Sequence, residues 1–170
     1  MIDNSEELTT TKQTMSAIGL GSNLGDSLTI LQAAIKNLDQ ISGITVKSQS
    51  SWYRTAPVGP PQPDYLNGCA ILAVELSPQE LLETLLGVEQ EFGRVRLEHW
   101  GPRTLDLDLL LFDDLVLDTP KLKIPHPLMN QRAFVLLPLA EIAPNWIEPV
   151  SQLTISELAQ SIDSSEVSLC

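Results

Sequence analysis

The feature that most constrains the fold is a run of alternating residues between Thr104 and Phe112. Successive side chains of a β-strand point to opposite faces of its sheet, so alternate positions form two separate sets. The odd positions are all leucine and predict a face against a hydrophobic core: Leu105, Leu107, Leu109 and Leu111. The even positions predict a second face on which two carboxylates are followed by apolar groups: Thr104, Asp106, Asp108, Leu110 and Phe112.

Asp106 and Asp108 are the first candidates for chemistry. Two carboxylates on one face of a strand lie about 7 Å apart along it and repel each other. A divalent cation relieves that repulsion, and Mg²⁺ is commonly held by one or two carboxylates together with substrate phosphates. Pairs of such ions serve displacement reactions at phosphorus. The alternative is an edge strand with a solvated polar face, where this pattern is ordinary.

The residues just before the strand strengthen the first interpretation. Gly101 and Pro102 predict a tight, non-helical approach, and Arg103 follows them. Arginine is the side chain best suited to bidentate phosphate contact. Trp100 adds a flat apolar surface. A cation, two carboxylates and an aromatic ring in one short run indicate a binding site for a phosphorylated ligand.

The rest of the chain predicts the element order β-α-β-β-α-β with later additions. Predicted strands are 15–20, 44–54 and 65–76. Predicted helices are 27–41, which either Asp26 or Ser27 caps, and 78–92, which begins with a capping box from Ser77 and Glu80. This order predicts an α+β, ferredoxin-like core, with an antiparallel sheet, helices on one face and the active site on the other. A further helix is expected over 131–140, and a short one that Thr154 caps. Residues 1–13 are expected to be disordered, 14–160 to form one domain, and 161–170 to be frayed.

Three other features leave alternatives open. Tyr65 and Asn67 share the non-core face of a predicted strand, where they either bind a heterocycle or are surface polarity. Glu89 falls beside the apolar stripe of a helix, where a carboxylate needs a partner. That partner is either Arg94 or Arg96 in a structural salt bridge, or a bound ligand. The segment 93–102 suits a lid that carries charge, and the proline-rich segment 55–64 is either a stiff connection or a binding loop.

Composition narrows the function classes. The net charge of −12 argues against a general nucleic-acid binder, although six of the 10 Lys and Arg residues lie between positions 94 and 132. No apolar run reaches the roughly 18 residues of a membrane span. The N-terminal residues show no signal-peptide pattern. The two cysteines are far apart without metal-ligand spacing, so a reduced, cytoplasmic setting is expected.

The segment around the two carboxylates resembles the signature of a known family. The run His99-x-Gly101-Pro102-Arg103-x-x-Asp106-Leu107-Asp108-Leu109-Leu110 is similar to the signature of the 6-hydroxymethyl-7,8-dihydropterin pyrophosphokinase (HPPK) family. The resemblance extends from residues 17–25 to residues 141–144. It implies transfer of pyrophosphate from ATP to the hydroxymethyl group of the dihydropterin, which leaves AMP, in folate biosynthesis.

The resemblance also implies a set of site residues. Asp106 and Asp108 would hold two Mg²⁺ ions, and Arg94 and Arg96 would close over the phosphates as catalytic residues. Nucleotide contacts are expected from Glu89, Arg96, Trp100, Arg103, Leu109, Lys121, His126 and Arg132. Pterin contacts are expected from Thr55, Val58, Tyr65, Asn67, Trp100 and Phe134. We expect a cytoplasmic monomer whose partners are these two small substrates, with no nucleic acid and no membrane.

The chain departs from the family pattern at Ala56, Leu86 and Pro127, and the segment between Arg96 and Trp100 is one residue short. These departures concern nucleotide contacts and lid geometry. Two rival functions are another metal-dependent phosphotransferase or phosphohydrolase, and a non-catalytic ferredoxin-like binding module.

Overall fold

The computed structural model describes residues 13–57, 59, 61–93 and 104–170. The strands are β1 (Thr14–Ser22), β2 (Ile44–Gln49), β3 (Tyr53–Thr55), β4 (Tyr65–Val74), β5 (Asp106–Phe112), β6 (Leu117–Asp118), β7 (Lys123–Ile124) and β8 (Val167–Leu169). The helices are α1 (Ser27–Asp39), α2 (Pro78–Glu91), α3 (Ala133–Ile142) and α4 (Ile155–Ser161), with a 3₁₀ turn at Met129–Gln131. None of the helices in these residues is long and apolar enough to span a membrane.

Local hydrogen bonds fix the starts of three helices as predicted. The Asp26 carboxylate accepts a hydrogen bond from the backbone N–H of Thr29 and caps α1. Ser77 and Glu80 form a reciprocal capping box at the start of α2. Thr154 caps α4 in the same way. Each cap satisfies backbone N–H groups that have no partner inside the helix.

The main sheet is antiparallel and has the strand order β5-β1-β4-β3-β8, with β2 also paired to β4. The predicted strand 44–54 is therefore two strands, β2 and β3. Within the sheet, Gly19 lies between Cys69 of β4 and Asp108 of β5. Gly21 lies in the same way between Asn67 and Asp106. The two glycines thus separate the carboxylate strand from the strand that carries Asn67.

Helices cover both faces of the sheet, which corrects the expectation that they pack on one face only. On one face, α1 and α2 pack on a core that includes Ile18, Leu20 and Leu72. On the other face, α3 and α4 pack on Ala17 and Ile71. The cause is the composition of α3, Ala-Phe-Val-Leu-Leu-Pro-Leu-Ala-Glu-Ile, whose apolar side chains need burial. The helices leave part of this second face open.

A β-bulge changes the predicted faces of β5 near its end. The ladder with β1 pairs Ala17 with Leu111 and Ile18 with Leu109, so Leu110 is an extra residue. Leu105, Leu107 and Leu109 contact the first core as predicted. Beyond the bulge the alternation is inverted, because Leu111 packs in the second core and Phe112 in the first.

The C-terminal residues form a strand where the sequence analysis expects a frayed tail. Strand β8 pairs with β3, with Val167 opposite Thr55 and Leu169 opposite Tyr53. Without β8, β3 would leave a row of unpaired backbone groups on this side. Pairing with that exposed edge explains why a polar tail without apolar periodicity is ordered.

Candidate active site

A cavity of about 930 Å³ is lined by residues of β1, β3, β4, β5 and α2, and by the residues at the start of α3. Every predicted site residue that the structure describes lines this cavity: Thr55, Tyr65, Asn67, Glu89, Asp106, Asp108, Leu109, Lys121, His126, Arg132 and Phe134. The other predicted site residues lie outside the described residues: Val58, Arg94, Arg96, Trp100 and Arg103. The structure therefore brings together, in one cavity, residues that are more than 70 positions apart in the sequence.

The floor of the cavity carries the two carboxylates. Asp106 and Asp108 are half-buried, and the glycines of β1 lie directly beside them. Gly21 leaves no room for a side chain, because a Cβ atom there would lie 2.8 Å from Oδ1 of Asn67. At Gly19 a Cβ atom would make only ordinary contacts, the nearest at 3.7 Å to Leu110. Gly21 therefore leaves space for the Asn67 side chain beside the carboxylates.

Glu89 is only 2% exposed although its side chain is ionisable. Its Oε2 accepts a hydrogen bond from the backbone N–H of Leu107 at 2.7 Å. Leu107 is the residue between the two aspartates, so the helix holds the carboxylate strand directly. This contact is a role that the sequence analysis misses. The proposed partners Arg94 and Arg96 lie outside the described residues.

His126 lies at the side of the cavity next to β5. Its backbone N–H donates to the carbonyl of Leu110, the bulged residue, at 3.0 Å. Its Nδ1 accepts a hydrogen bond from the backbone N–H of Leu128 at 3.2 Å. Burial, and next the positive charge of Arg132, lower the pKa of His126, while Asp106 acts in the opposite direction. The imidazole is therefore neutral near pH 7 and is a hydrogen-bonding group in this site rather than a cation.

Arg132 and Phe134 lie at the start of α3. The guanidinium carbon of Arg132 lies 5.4 Å from the centroid of the Phe134 ring, a cation–π distance. Both side chains are half-buried and line the cavity. The ring thus holds the guanidinium at the cavity wall, where it can meet an anionic ligand.

The far end of the cavity is polar but buried. Asn67 is 7% exposed and Thr55 is 8% exposed. The Asn67 amide donates to Oγ1 of Thr55 at 3.5 Å. Because Asn67 is buried, the surface-polarity alternative does not hold for it. An amide and a hydroxyl beside Tyr65 are groups that can hydrogen-bond a flat polar ligand.

The proline-rich loop is attached to the turn that follows β1. The Asn23 amide donates to Oε1 of Gln62 at 2.7 Å and to the carbonyl of Pro63 at 2.9 Å. Asn23 is buried, which strengthens these bonds. This contact fixes the position of the loop, as either a stiff connection or a binding loop requires, and Ala56 at the start of the loop lines the cavity.

Several cavity residues are missed by the sequence analysis. Leu82 of α2 lines the cavity, although helical spacing assigns it to the apolar stripe that faces the core. Leu86, a position where the family resemblance implies a polar nucleotide contact, also lines the cavity. The tail supplies Asp163, Ser165, Glu166 and Val167. No periodicity or motif marks these tail residues, because only strand pairing with β3 brings them to the cavity.

The donor set suits magnesium. Among the described residues there is no group of three or more His, Cys, Asp or Glu side chains that could hold a metal ion alone. The two carboxylates on the cavity floor supply hard oxygen ligands and leave the remaining positions for substrate phosphates and water. Zinc, in contrast, is bound in proteins through three or four side chains.

A known protein family and several of its members are similar to this chain. The sequence profile of the family described as 7,8-dihydro-6-hydroxymethylpterin-pyrophosphokinase (HPPK) matches residues 17–144. A relative from Synechocystis sp., named 2-amino-4-hydroxy-6-hydroxymethyldihydropteridine pyrophosphokinase, is 57% identical over 150 residues, 88% of this chain and 77% of its own. A relative of the same name from Haemophilus influenzae is 44% identical over 153 residues, 89% of this chain and 96% of its own.

Solved structures share the fold at low sequence identity. An HPPK-DHPS structure in complex with substrates has a TM-score of 0.70 at 12% identity, over 89% of this chain and 43% of that one. A Plasmodium falciparum HPPK-DHPS triple mutant has a TM-score of 0.71 at 14% identity, over 89% of this chain and 44% of that one. This chain spans less than half of those longer chains.

Proposed function

Because the chain belongs to the 7,8-dihydro-6-hydroxymethylpterin-pyrophosphokinase family, we propose that it transfers pyrophosphate from ATP to 6-hydroxymethyl-7,8-dihydropterin. The hydroxymethyl oxygen attacks the β-phosphorus of ATP, and AMP leaves. This reaction is a step of folate biosynthesis. The observation that carries the proposal is the position of Asp106 and Asp108 on the floor of one cavity, between two ends of different chemistry.

The strand order supports this arrangement. Asp106 and Asp108 are on β5, and Asn67 and Thr55 are on β4 and β3, two and three strands away. With about 4.8 Å between neighbouring strands, β5 and β3 are about 14 Å apart. His126 lines the cavity and is bonded to β5 itself. We therefore assign the nucleotide to the β5 side of the cavity and the pterin to the side of β3 and β4, with the reacting phosphorus near Asp106 and Asp108.

Asp106 and Asp108 would hold Mg²⁺, and we propose two ions. Bound there, the metal would neutralise negative charge on the triphosphate and polarise its oxygens. Glu89 bonds to the backbone of the residue between the two carboxylates and so holds this part of β5 against α2. Positioning of this kind, with electrostatic stabilisation, accounts for most of the catalysis in phosphoryl-transfer enzymes.

At the nucleotide end, Arg132 and Lys121 would contact phosphates, and neutral His126 would donate or accept a hydrogen bond. Glu89 and Leu109 would border the nucleotide. From the family signature we further assign Trp100 and Arg103 to ATP. Arg94 and Arg96 would close over the phosphates and stabilise the charge that spreads in the transition state.

At the pterin end, Thr55 and Asn67 would hydrogen-bond the edge of the heterocycle. Tyr65 and Phe134 would stack on its faces, because aromatic rings pair well with a flat conjugated system. Val58 and Trp100 complete the set that the family signature assigns to the pterin. Leu82 and Leu86, at the other side, give the nucleotide an apolar surface.

The finer fold assignment is also a proposal. A sheet in which β1 lies between β4 and β5, with α1 and α2 on one face, supports a ferredoxin-like core. We propose one pyrophosphokinase domain that consists of the predicted residues 14–160 together with the tail that pairs through β8, and that acts as a cytoplasmic monomer.

The direct test is an assay with ATP, Mg²⁺ and 6-hydroxymethyl-7,8-dihydropterin that detects AMP. Wild type is expected to form AMP only when the pterin is present. Asp108→Ala is expected to lose this activity. Asp114→Ala is the matched control, since it removes an exposed carboxylate that follows the same strand and does not line the cavity.

Other outcomes would identify the rivals. ADP or free phosphate as the product would indicate a different phosphotransferase or a phosphohydrolase. Absence of turnover from folded wild type, with ligand binding unchanged in Asp106→Ala and Asp108→Ala, would indicate a binding module.

A further inference from the structure

The last strand of the chain forms part of the cavity wall. Val167 of β8 lines the cavity and pairs with Thr55 of β3. We infer that β8 positions Thr55 for the dihydropterin and thereby sets the affinity for that substrate. The inference rests on the proposed function, and it concerns a segment that lies beyond the family match at residues 17–144.

Strand β3 depends on its two neighbours. It is only three residues long and lies between β4 and β8. Its pairing with β8 continues past the strand, because the backbone N–H of Cys170 donates to the carbonyl of Trp52 at 3.0 Å. If β8 were absent, β3 would become a short edge strand, and such strands are weakly held.

The ladder geometry places Val167 against Thr55. Residues opposite each other in an antiparallel pair alternate between hydrogen-bonded and non-hydrogen-bonded pairs. The bond between Cys170 and Trp52 makes their pair hydrogen-bonded, so Arg54 and Ser168 form the next such pair. Thr55 and Val167 then form a non-hydrogen-bonded pair, in which side chains approach each other more closely.

A turn fixes where β8 begins. The Asp163 carboxylate accepts a hydrogen bond from the backbone N–H of Ser165 at 3.0 Å. The backbone N–H of Val167 donates to the carbonyl of Ser164 at 3.1 Å, so it does not bond to β3. The bond to Ser164 agrees with the assignment of Thr55 and Val167 as a non-hydrogen-bonded pair. The turn thus fixes Val167 in the position opposite Thr55.

A displacement of Thr55 would change the geometry of the pterin end of the cavity but not that of the nucleotide end. Thr55 is buried, and its hydroxyl accepts from the Asn67 amide at 3.5 Å. Both polar groups of that end would therefore move together. Asp106 and Asp108 lie three strands from β3, so the nucleotide end would keep its geometry.

The test uses one proline substitution and a matched control. Ser168→Pro removes the backbone N–H that bonds to β3, while the exposed Ser168 side chain contributes no packing. Leu169→Pro is the control, because the N–H of Leu169 points away from β3 in this ladder. The dissociation constants of both variants are measured by titration calorimetry, for the dihydropterin and separately for ATP with Mg²⁺.

Ser168→Pro is expected to bind the dihydropterin about fivefold more weakly, which corresponds to the loss of one hydrogen bond between Thr55 and the ligand. Its affinity for ATP is expected to be unchanged. Leu169→Pro is expected to match wild type for both ligands. Unchanged pterin affinity in Ser168→Pro, equal loss for both ligands, or an equal effect of Leu169→Pro would overturn the inference. Failure of wild type itself to bind the dihydropterin would overturn the proposed function as well.

Discussion

The carboxylate of Glu89 and the backbone N–H of Leu107 join α2 to the strand that carries both candidate metal ligands. Asp106 and Asp108 lie on either side of Leu107, so this hydrogen bond holds the stretch of backbone that carries both carboxylates. A buried carboxylate is costly unless it is hydrogen-bonded. The contact therefore links the stability of the fold to the arrangement of the site.

Glu89→Ala is expected to lower the free energy of unfolding by about 2 kcal/mol, because it leaves the buried N–H group of Leu107 without this acceptor. It is also expected to weaken the binding of ATP with Mg²⁺. Glu89→Gln keeps an acceptor oxygen and is expected to lose less of both. Chemical denaturation and titration calorimetry measure the two effects. If the alanine variant bound metal-nucleotide as wild type does, Glu89 would not control the carboxylates.

Gly21→Ala is expected to weaken pterin binding about tenfold, since the new Cβ atom would lie 2.8 Å from Oδ1 of Asn67 and displace its amide. Gly19→Ala is the control, because its Cβ atom makes only ordinary contacts. The dissociation constant of the dihydropterin measures the effect.

A double variant gives a sharper check of the same clash. If Gly21→Ala acts by displacing Asn67, then Gly21→Ala combined with Asn67→Ala is expected to bind no more weakly than Asn67→Ala alone. Additive losses in the double variant would show that Gly21 acts by another route.

His126 predicts a pH dependence of stability. Its pKa in the folded protein lies below the ordinary 6.5, because of burial and of Arg132. At pH values between the folded and the unfolded pKa of His126, the unfolded chain binds more protons than the folded one. The free energy of unfolding therefore falls as the pH drops below about 6.5, and above that pH the contribution of His126 is fully present. Protonation also removes the Nδ1 acceptor used by Leu128.

The measurement is the urea midpoint from about pH 8 to about pH 5, without metal or nucleotide. His126→Asn places an oxygen near the position of Nδ1 and cannot titrate in this range. We expect its stability to change less with pH than that of wild type. Identical pH profiles for the two proteins would contradict the assigned role of His126.

The two cysteines are expected to differ in reactivity. Cys69 is buried, and burial, then the carboxylates of Asp108 and Glu141, raise the pKa of its thiol well above the ordinary value. Cys170 is exposed. Ellman's reagent should therefore modify one thiol per chain in the native protein and two in denaturant. Two reactive thiols under native conditions would show that the core around Cys69 opens readily.

Much of the fold is predictable where the interactions are local. The caps at Asp26, Ser77 and Thr154 depend on residues three positions away, and such spacing is visible in a sequence. Helix periodicity likewise places Glu89 beside the apolar stripe. The capping and periodicity predictions are confirmed for these reasons.

The missed features depend on distant partners. The bulge at Leu110 is invisible in the pattern because the residues on both sides are apolar, and only the ladder with β1 reveals it. Strand β8 exists because β3 offers an edge, more than 100 positions earlier in the chain. For the site, the motif identifies Asp106 and Asp108, whereas Val167 reaches the cavity only through this pairing.

The bulge at Leu110 also determines where β5 tolerates a change in length. Deletion of Leu110 alone would leave Leu109 opposite Ile18 and Leu111 opposite Ala17, so a regular ladder would replace the bulge. Deletion of Leu107 would instead make the two aspartates neighbours, and one of them would face the core. A length change at the bulge therefore costs packing and the hydrogen bond to His126, whereas a length change before it removes the paired carboxylates from their common face.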